Sequence, residues 1–266
     1  MQFASILAPA RGLLRAPSPS LLFSLVLAAT ALLQPARAQN GNDDVIVQMK
    51  QAAQRGDKAR LAVLLPQARG HLLEPWAAYW ELKARLGEAS ASEVEDFLSR
   101  YAGTYQEDRL RNDWLVLLGQ RRDWDGFASL HPAFRMNDDP QVRCYAVLVD
   151  ALRSGSPTAA QAAEVRRSWL GQRELDDGCL TAADRLISAR MMSPNDAWKK
   201  ARLAIEANRP QAARAAVMLV APDAVPQFDE INASVAKFLA GRGVAPGKAR
   251  RELVVLARTR EDRHGC

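Results

Sequence analysis

Apolar residues recur along most of the chain at the three- and four-residue spacing of amphipathic α-helices. Leu110, Trp114, Leu117 and Leu118 show this spacing well. Each such stretch is about a dozen residues long and ends at a short break containing Gly, Pro, Asn, Asp or Ser. The strict alternation of a strand is almost absent, because Val45-Ile46-Val47 and Val217 to Val220 lie inside longer helical patterns. The pattern therefore predicts an all-α fold with about a dozen helices.

The breaks between these helices are short, at about two to six residues, so consecutive helices are expected to pack antiparallel. The helices are also short and similar in length. Small residues such as Ala201 and Ala204 allow close approach, and large ones such as Trp76 and Tyr79 fill the next gap. These features favour a superhelical solenoid of antiparallel helix pairs over a globular bundle. A strict repeat of about 34 residues with the tetratricopeptide pattern is not seen, so any repeats are degenerate.

Several helix boundaries are predicted from capping residues. Ser92 followed by Glu95 matches a capping box. A single helix is expected from Phe228 to Leu239, ending at Gly241. Pro246 is expected to begin the last helix, which would give way after residue 257 to a polar tail.

The N-terminal segment has the features of a secretory signal peptide. Arg11 and Arg15 precede an apolar run from Leu21 to Leu33, and Ala36-Arg37-Ala38 then fits the small-x-small cleavage rule. We therefore predict a signal peptide at residues 1–38, cleaved between Ala38 and Gln39. A polar leader at 39–44, a helical superhelix at 45–257 and a polar tail at 258–266 would follow. An uncleaved signal anchor is the alternative.

Cleavage would lower the formal net charge from +6 to +3, since the removed segment contains Arg11, Arg15 and Arg37 and no acidic residue. Basic and acidic residues are interleaved in the rest of the chain, without a run of five or more like charges. Nucleic acid is therefore not an expected partner. The mature part also has no apolar stretch of transmembrane length, so no membrane span is expected after cleavage.

Cys144 and Cys179 form a candidate disulfide, because export would place them in an oxidising compartment. Two buried free thiols are the alternative. Cys266 is left over at the C-terminus, where it could link two chains.

No arrangement of residues predicts a catalytic centre, a metal site or a cofactor. The three histidines, His71, His131 and His264, have no partner at metal-binding spacing. The paired carboxylates are expected at helix starts or breaks, where acids favour the helix dipole: Glu95-Asp96, Asp138-Asp139 and Asp176-Asp177. Most of the six tryptophans are expected in the core. Trp124 follows a helix break and is the candidate glycan contact.

Several short segments resemble, in order and spacing, the superhelical N-terminal domain of soluble lytic transglycosylases. They are Pro75-Trp76-Ala77-Ala78-Tyr79-Trp80-Glu81-Leu82, Phe97-Leu98-Ser99-Arg100-Tyr101, Arg109-Leu110-Arg111-Asn112-Asp113-Trp114-Leu115, Arg121-Arg122-Asp123-Trp124, Cys144-Tyr145, and Ser168-Trp169-Leu170 to Cys179. The resemblance implies a U-shaped or ring-shaped helical domain that embraces a glycan strand and has a disulfide between two of its helices. It also implies a periplasmic protein of peptidoglycan metabolism. Family members cleave the bond from N-acetylmuramic acid to N-acetylglucosamine and form a 1,6-anhydro product.

In that family, catalysis belongs to a C-terminal lysozyme-like domain with a Glu-Ser motif. This sequence contains no Glu-Ser dipeptide, and its last apolar helix is followed directly by polar residues. The sequence therefore predicts a member truncated before the catalytic domain. Such a chain would act as a scaffold that holds peptidoglycan, or other cell-wall proteins, on a concave and mildly basic surface. A periplasmic tetratricopeptide-like protein-binding adaptor is the main alternative, and an enzyme with an unrecognised carboxylate pair is the third.

Overall fold

The computed structural model describes residues 40–241 and 247–264. This part of the chain is all-helical and contains fourteen α-helices. The prediction of an all-α fold is confirmed. The predicted signal peptide, its cleavage site between Ala38 and Gln39, and Cys266 lie outside the described residues. The helices are α1 (Asn40–Gln54), α2 (Lys58–Leu64), α3 (Glu74–Ala84), α4 (Ala91–Arg100), α5 (Tyr105–Arg121), α6 (Trp124–Leu130), α7 (Pro140–Ser154), α8 (Ala159–Gly171), α9 (Asp177–Ser188), α10 (Pro194–Glu206), α11 (Pro210–Val220), α12 (Val225–Ala233), α13 (Val235–Ala240) and α14 (Lys248–His264).

Up to α11, each odd-numbered helix packs against the next odd-numbered helix along the chain. Helix α3 contacts α1 and α5, helix α7 contacts α5 and α9, and α9 also contacts α11. We call this row of odd-numbered helices the odd layer. Members of the row run parallel, since Tyr79 bonds to Asp113 and Arg121 of α5 bonds to the carbonyl of Gly87 beyond the end of α3. Even-numbered helices connect successive members of the odd layer, and among them α8 contacts α10. This arrangement is an α-α superhelix.

Side chains at helix starts explain many of the boundaries. Asp57, Thr104, Asp139, Thr158 and Ser193 each accept a hydrogen bond from a backbone N–H in the first turn of the following helix. These N–H groups have no partner inside the helix, so the side chains satisfy them and fix where each helix begins.

The predicted capping box at Ser92 and Glu95 is wrong by two residues. Ser90 caps α4, and the Glu93 carboxylate accepts a hydrogen bond from the Ser90 backbone N–H at 2.8 Å. Both serines precede a glutamate by three residues, so the local pattern fits either. Arg85 decides between them, because its guanidinium binds Glu93 across the turn at 2.6 Å.

The ends of the superhelix differ from the boundaries that polarity suggests. Helix α1 begins at Asn40, within the predicted leader, and α14 continues to His264, through most of the predicted tail. Polar residues such as Arg and Glu are good helix formers, so loss of the apolar face does not end α14. The single helix predicted from Phe228 is interrupted at Ser234. There the backbone is extended, and the Ser234 hydroxyl caps α13 by accepting from the backbone N–H of Lys237 at 3.3 Å.

The core forms two clusters, to which odd- and even-numbered helices both contribute. A small cluster joins α1, α2 and α3, and a larger one extends from α3 to α14. Trp80 packs against both. Two glycines allow close contact between helices: a Cβ on Gly119 would lie 2.4 Å from the Tyr145 ring, and one on Gly178 would lie 2.6 Å from the carbonyl oxygen of Gln141.

The disulfide expected between Cys144 and Cys179 is present, and it links α7 to α9. Within residues 40–241 and 247–264, no helix combines the length and apolar character needed to cross a bilayer.

Candidate functional site

A groove of about 660 Å³ lies between the C-terminal halves of α7 and α9, with Trp124 at its edge. Apolar groups on the α7 side include Leu148 and Leu152, and Leu152 is 54% exposed. The other lining residues are mostly small or polar: Ala151, Gly155, Ser156, Pro157, Thr181, Asp184, Arg185, Ser188, Ala189 and Met191. We call this feature the Trp124 groove.

Local structure places the Trp124 ring at this edge. Helix α5 ends where Arg122 adopts a left-handed conformation, with φ of 60°. Asp123 then caps α6 by accepting a hydrogen bond from the backbone N–H of Gly126 at 2.9 Å. Trp124 is therefore the first residue of α6. Its half-buried ring lies 6.1 Å from the Tyr145 ring and 5.7 Å from the Arg122 guanidinium carbon, close enough for a cation-π contact.

A hydrogen-bonded cluster behind Trp124 joins α5, α7 and α9. Asp177 accepts hydrogen bonds from Arg122 and from the Tyr145 hydroxyl, and Arg122 also bonds to Thr181 at 3.2 Å. Burial alone would raise the pKa of Asp177, but the bonds from Arg122 and Tyr145 lower it overall. The pKa of Tyr145 is raised by burial and by the adjacent carboxylate. The cluster therefore contains an ionised Asp177 and a neutral Tyr145.

The Trp124 groove has the composition of a binding site for a polar ligand with an apolar face. The indole ring and the two leucines provide flat and apolar contacts, while Thr181 and Ser156 offer hydroxyl groups. Asp184 and Arg185 are exposed and provide one charge of each sign. Pyranose sugars present both an apolar ring face and a rim of hydroxyl groups, so the groove matches their chemistry.

The carboxylate pairs are engaged mainly in helix capping. Asp139 accepts from the backbone N–H of Gln141 at 2.8 Å, and Asp176 accepts from that of Cys179 at 2.6 Å. Burial raises the pKa of Asp176. The expectation was wrong for Glu95 and Asp96, which lie in the middle of α4 on its exposed side. The cap at Ser90 begins α4 two residues earlier than a cap at Ser92 would, so these two acids fall beyond its first turn.

Two of the histidines have packing or hydrogen-bonding roles. The His71 ring nitrogen Nε2 lies 2.8 Å from Asp43, and the His131 ring stacks on Phe127 at 5.4 Å between centroids. Burial lowers the pKa of His131. In the described part of the chain, no three His, Cys, Asp or Glu side chains come together as a metal-binding group.

Three of the tryptophans, Trp114, Trp169 and Trp198, are buried as expected. Trp76, Trp80 and Trp124 are partly exposed. Sequence reasoning selected Trp124 but missed the residues around it. Arg122 and Asp177 are 55 positions apart, so no short pattern joins them. The motif Arg121-Arg122-Asp123-Trp124 at a helix break is the one local signal that marked this place.

No family model and no curated protein matches this chain. Among solved structures, the chain resembles the soluble lytic transglycosylase Slt70 of Escherichia coli. Identity is 16% and the TM-score 0.50, over 85% of this chain and 36% of that one. The complex of the 70-kDa soluble lytic transglycosylase with bulgecin A gives 15% identity, a TM-score of 0.50, and coverage of 85% and 36%. An inactive mutant of lytic transglycosylase Slt from Pseudomonas aeruginosa gives 26% identity and a TM-score of 0.42, covering 80% of this chain and 34% of that one.

The chain shares the helical superhelix of Slt70. At 15–16% identity this similarity establishes the fold, and the chain spans about a third of the length of the structures it matches.

Proposed function

We propose that this chain is a periplasmic scaffold that holds glycan strands of peptidoglycan, with the Trp124 groove as a contact site. The observation that carries the proposal is a groove with a partly exposed indole, apolar walls and a polar rim, on a superhelix of the Slt70 type. The sequence resemblance to soluble lytic transglycosylases supports peptidoglycan as the ligand. The signal peptide predicted at residues 1–38 supports the periplasmic location.

Binding to insoluble peptidoglycan tests the proposal. The mature chain, residues 39–266, should sediment with purified sacculi, and Trp124→Ala should weaken that binding by about fivefold to tenfold. Leu175→Ala is the matched control, because Leu175 is 49% exposed and lies outside the groove. Thermal unfolding of each variant shows whether the fold is intact. If Trp124→Ala binds sacculi as tightly as the unchanged chain, the Trp124 groove is not a glycan contact.

The two alternative functions predict different results with purified sacculi. A tetratricopeptide-like adaptor that binds only proteins would stay in solution with purified sacculi. An enzyme with a hidden carboxylate pair would release anhydro-muropeptides from them. We expect no release, because Asp139, Asp176 and Asp177 are engaged in caps and ion pairs, and Glu95 and Asp96 lie on the exposed side of α4.

A further inference from the structure

A second group of partly exposed aromatic rings lies on the odd layer, between α3 and α5. Trp76 stacks on Trp80 with 5.8 Å between ring centroids and an interplanar angle of 30°. The Tyr105 ring at the start of α5 lies 5.7 Å from that of Trp76. Tyr105 is 53% exposed, so the exposed part of its ring contributes no burial energy to the fold. We call these three rings the α3–α5 platform.

Charged side chains border this platform on one side. The Tyr79 hydroxyl donates to Asp113 at 2.7 Å, and the Lys83 ammonium lies 3.0 Å from both groups. Arg109 adds a second positive charge beside Tyr79 and Asp113. Two cations therefore surround one carboxylate, and the Lys83 side chain is 46% exposed. The border has an excess of positive charge next to the partly exposed aromatic rings.

We propose that the α3–α5 platform is a second carbohydrate site, which takes a pyranose unit carrying a carboxylate. The sugar ring stacks its apolar face on the exposed Tyr105 ring, beside Trp76, while the carboxylate pairs with Lys83 and Arg109. This assignment rests on the proposed function, because it names the part of the glycan that a second site would recognise. Charge complementarity selects an anionic saccharide over a neutral one.

The position of the two sites on one layer gives them a joint role. Helices α3, α5, α7 and α9 are successive neighbours in that layer, so the platform and the Trp124 groove each lie between adjacent parallel helices. A polymer long enough to reach both sites would bind the second one at a raised effective concentration. Short fragments are therefore expected to bind weakly, and whole glycan strands more tightly.

Calorimetric titration with two soluble probes tests the platform. The probes are disaccharide-tetrapeptide muropeptides, which carry carboxylates, and the neutral tetramer of N-acetylglucosamine. The unchanged chain should bind the muropeptide more tightly than the neutral probe. Tyr105→Ala should weaken muropeptide binding by about fivefold. Lys83→Gln should weaken muropeptide binding by about threefold and leave the neutral probe unaffected.

The variants avoid Trp80, which packs against both core clusters and whose removal would disturb the fold. Leu175→Ala again serves as the control for an exposed apolar side chain. Unchanged muropeptide binding by folded Tyr105→Ala would overturn the site. Equal affinity of the unchanged chain for both probes would overturn the assignment of a carboxylate.

Sedimentation with purified sacculi distinguishes a failure of this inference from a failure of the proposed function. If the unchanged chain fails to bind sacculi, the proposed function fails. If Trp124→Ala weakens sediment binding and Tyr105→Ala does not, only the platform fails. If both sites act on one strand, combining Tyr105→Ala with Trp124→Ala should reduce binding by more than either change alone.

Discussion

Single residues set how closely the helices of the odd layer approach. Gly119 lies in the last turn of α5, where the ring of Tyr145 from α7 covers it. Tyr145 is fully buried, and its hydroxyl bonds to Asp177 of α9. The absence of a side chain at Gly119 therefore allows Tyr145 to pack against α5. From there Tyr145 reaches Asp177 of α9, in the hydrogen-bonded cluster behind Trp124.

Replacing this glycine should destabilise the fold. In Gly119→Ala the new Cβ would lie 2.4 Å from ring carbons of Tyr145, so the ring or the helix must move. Overpacking of this kind costs about 1–3 kcal/mol. Urea unfolding of the purified chain measures the loss. Gly171→Ala is the control, because Gly171 also lies in a helix and a Cβ there meets no atom within 4 Å. A Gly119→Ala midpoint equal to that of the control would contradict the argument.

Lys200 is another residue whose environment decides its role. Its side chain is buried, and its ammonium donates to the carbonyls of Trp169 and Gln172 at 2.6 Å each. These carbonyls lie at the C-terminal end of α8, where no helical N–H reaches them. Burial lowers the pKa of Lys200. The lysine of α10 thus caps a helix of the even-numbered row and joins the two helices.

At the scale of elements, the disulfide links α7 to α9, and these two helices flank the Trp124 groove. Cys144 and Cys179 are 35 positions apart, and closing a loop of that size is worth about 3–4 kcal/mol in the chain-entropy model. Exchanging both for alanine should lower the free energy of unfolding by about that amount, and thermal melting should show it. Cys266→Ala, which leaves the bond in place, is the control.

Thiol titration of the denatured, unreduced protein checks the pairing independently. The chain has three cysteines, and pairing of two of them leaves one free thiol. A count of three would mean that the alternative of two buried free thiols holds.

The elements were predictable from the sequence where the signal is local. Asp57, Asp139 and Thr158 cap helices as their positions suggest, because a cap depends on only three or four consecutive residues. Ser90 and Ser92 could not be separated in this way, since Glu93 is bound by Arg85, which follows the end of the preceding helix. Likewise, polar composition did not reveal that α14 continues to His264.

The candidate sites were predictable only in part, for the same physical reason. Trp124 was marked by its position after a helix break, but its partners come from α7 and α9. Trp76 and Trp80 have helical spacing, which favours the core equally well. Whether such a ring is covered depends on the next helix in the layer, and a single sequence does not specify that neighbour.

For the whole molecule, buried charge makes stability depend on pH. Glu107 at the start of α5 is buried and accepts hydrogen bonds from Arg111, from Arg135 at 2.8 Å, and from the backbone N–H of Gly103 at 3.0 Å. Burial alone would raise the pKa of Glu107, but these bonds lower it overall. The pKa values of Glu164 and Asp177 are also lowered by their arginine partners, against the effect of burial. All three carboxylates are therefore more acidic in the folded chain than in the unfolded one.

This difference predicts loss of stability in acid. A carboxylate with a lowered folded pKa contributes stability above its unfolded pKa, near 4.3 for Glu, and loses it as the pH falls towards the folded value. The free energy of unfolding should therefore fall between about pH 5 and pH 3. Glu107→Gln should cost roughly 2–4 kcal/mol at pH 7, because buried Arg111 loses one of its two carboxylate partners and keeps only Asp108 at 3.6 Å. The change should also flatten the decline in acid. Glu95→Gln, an exposed change on α4, is the control. Urea unfolding across this pH range measures both effects, and a Glu107→Gln profile parallel to that of the unchanged chain would exclude this source of acid sensitivity.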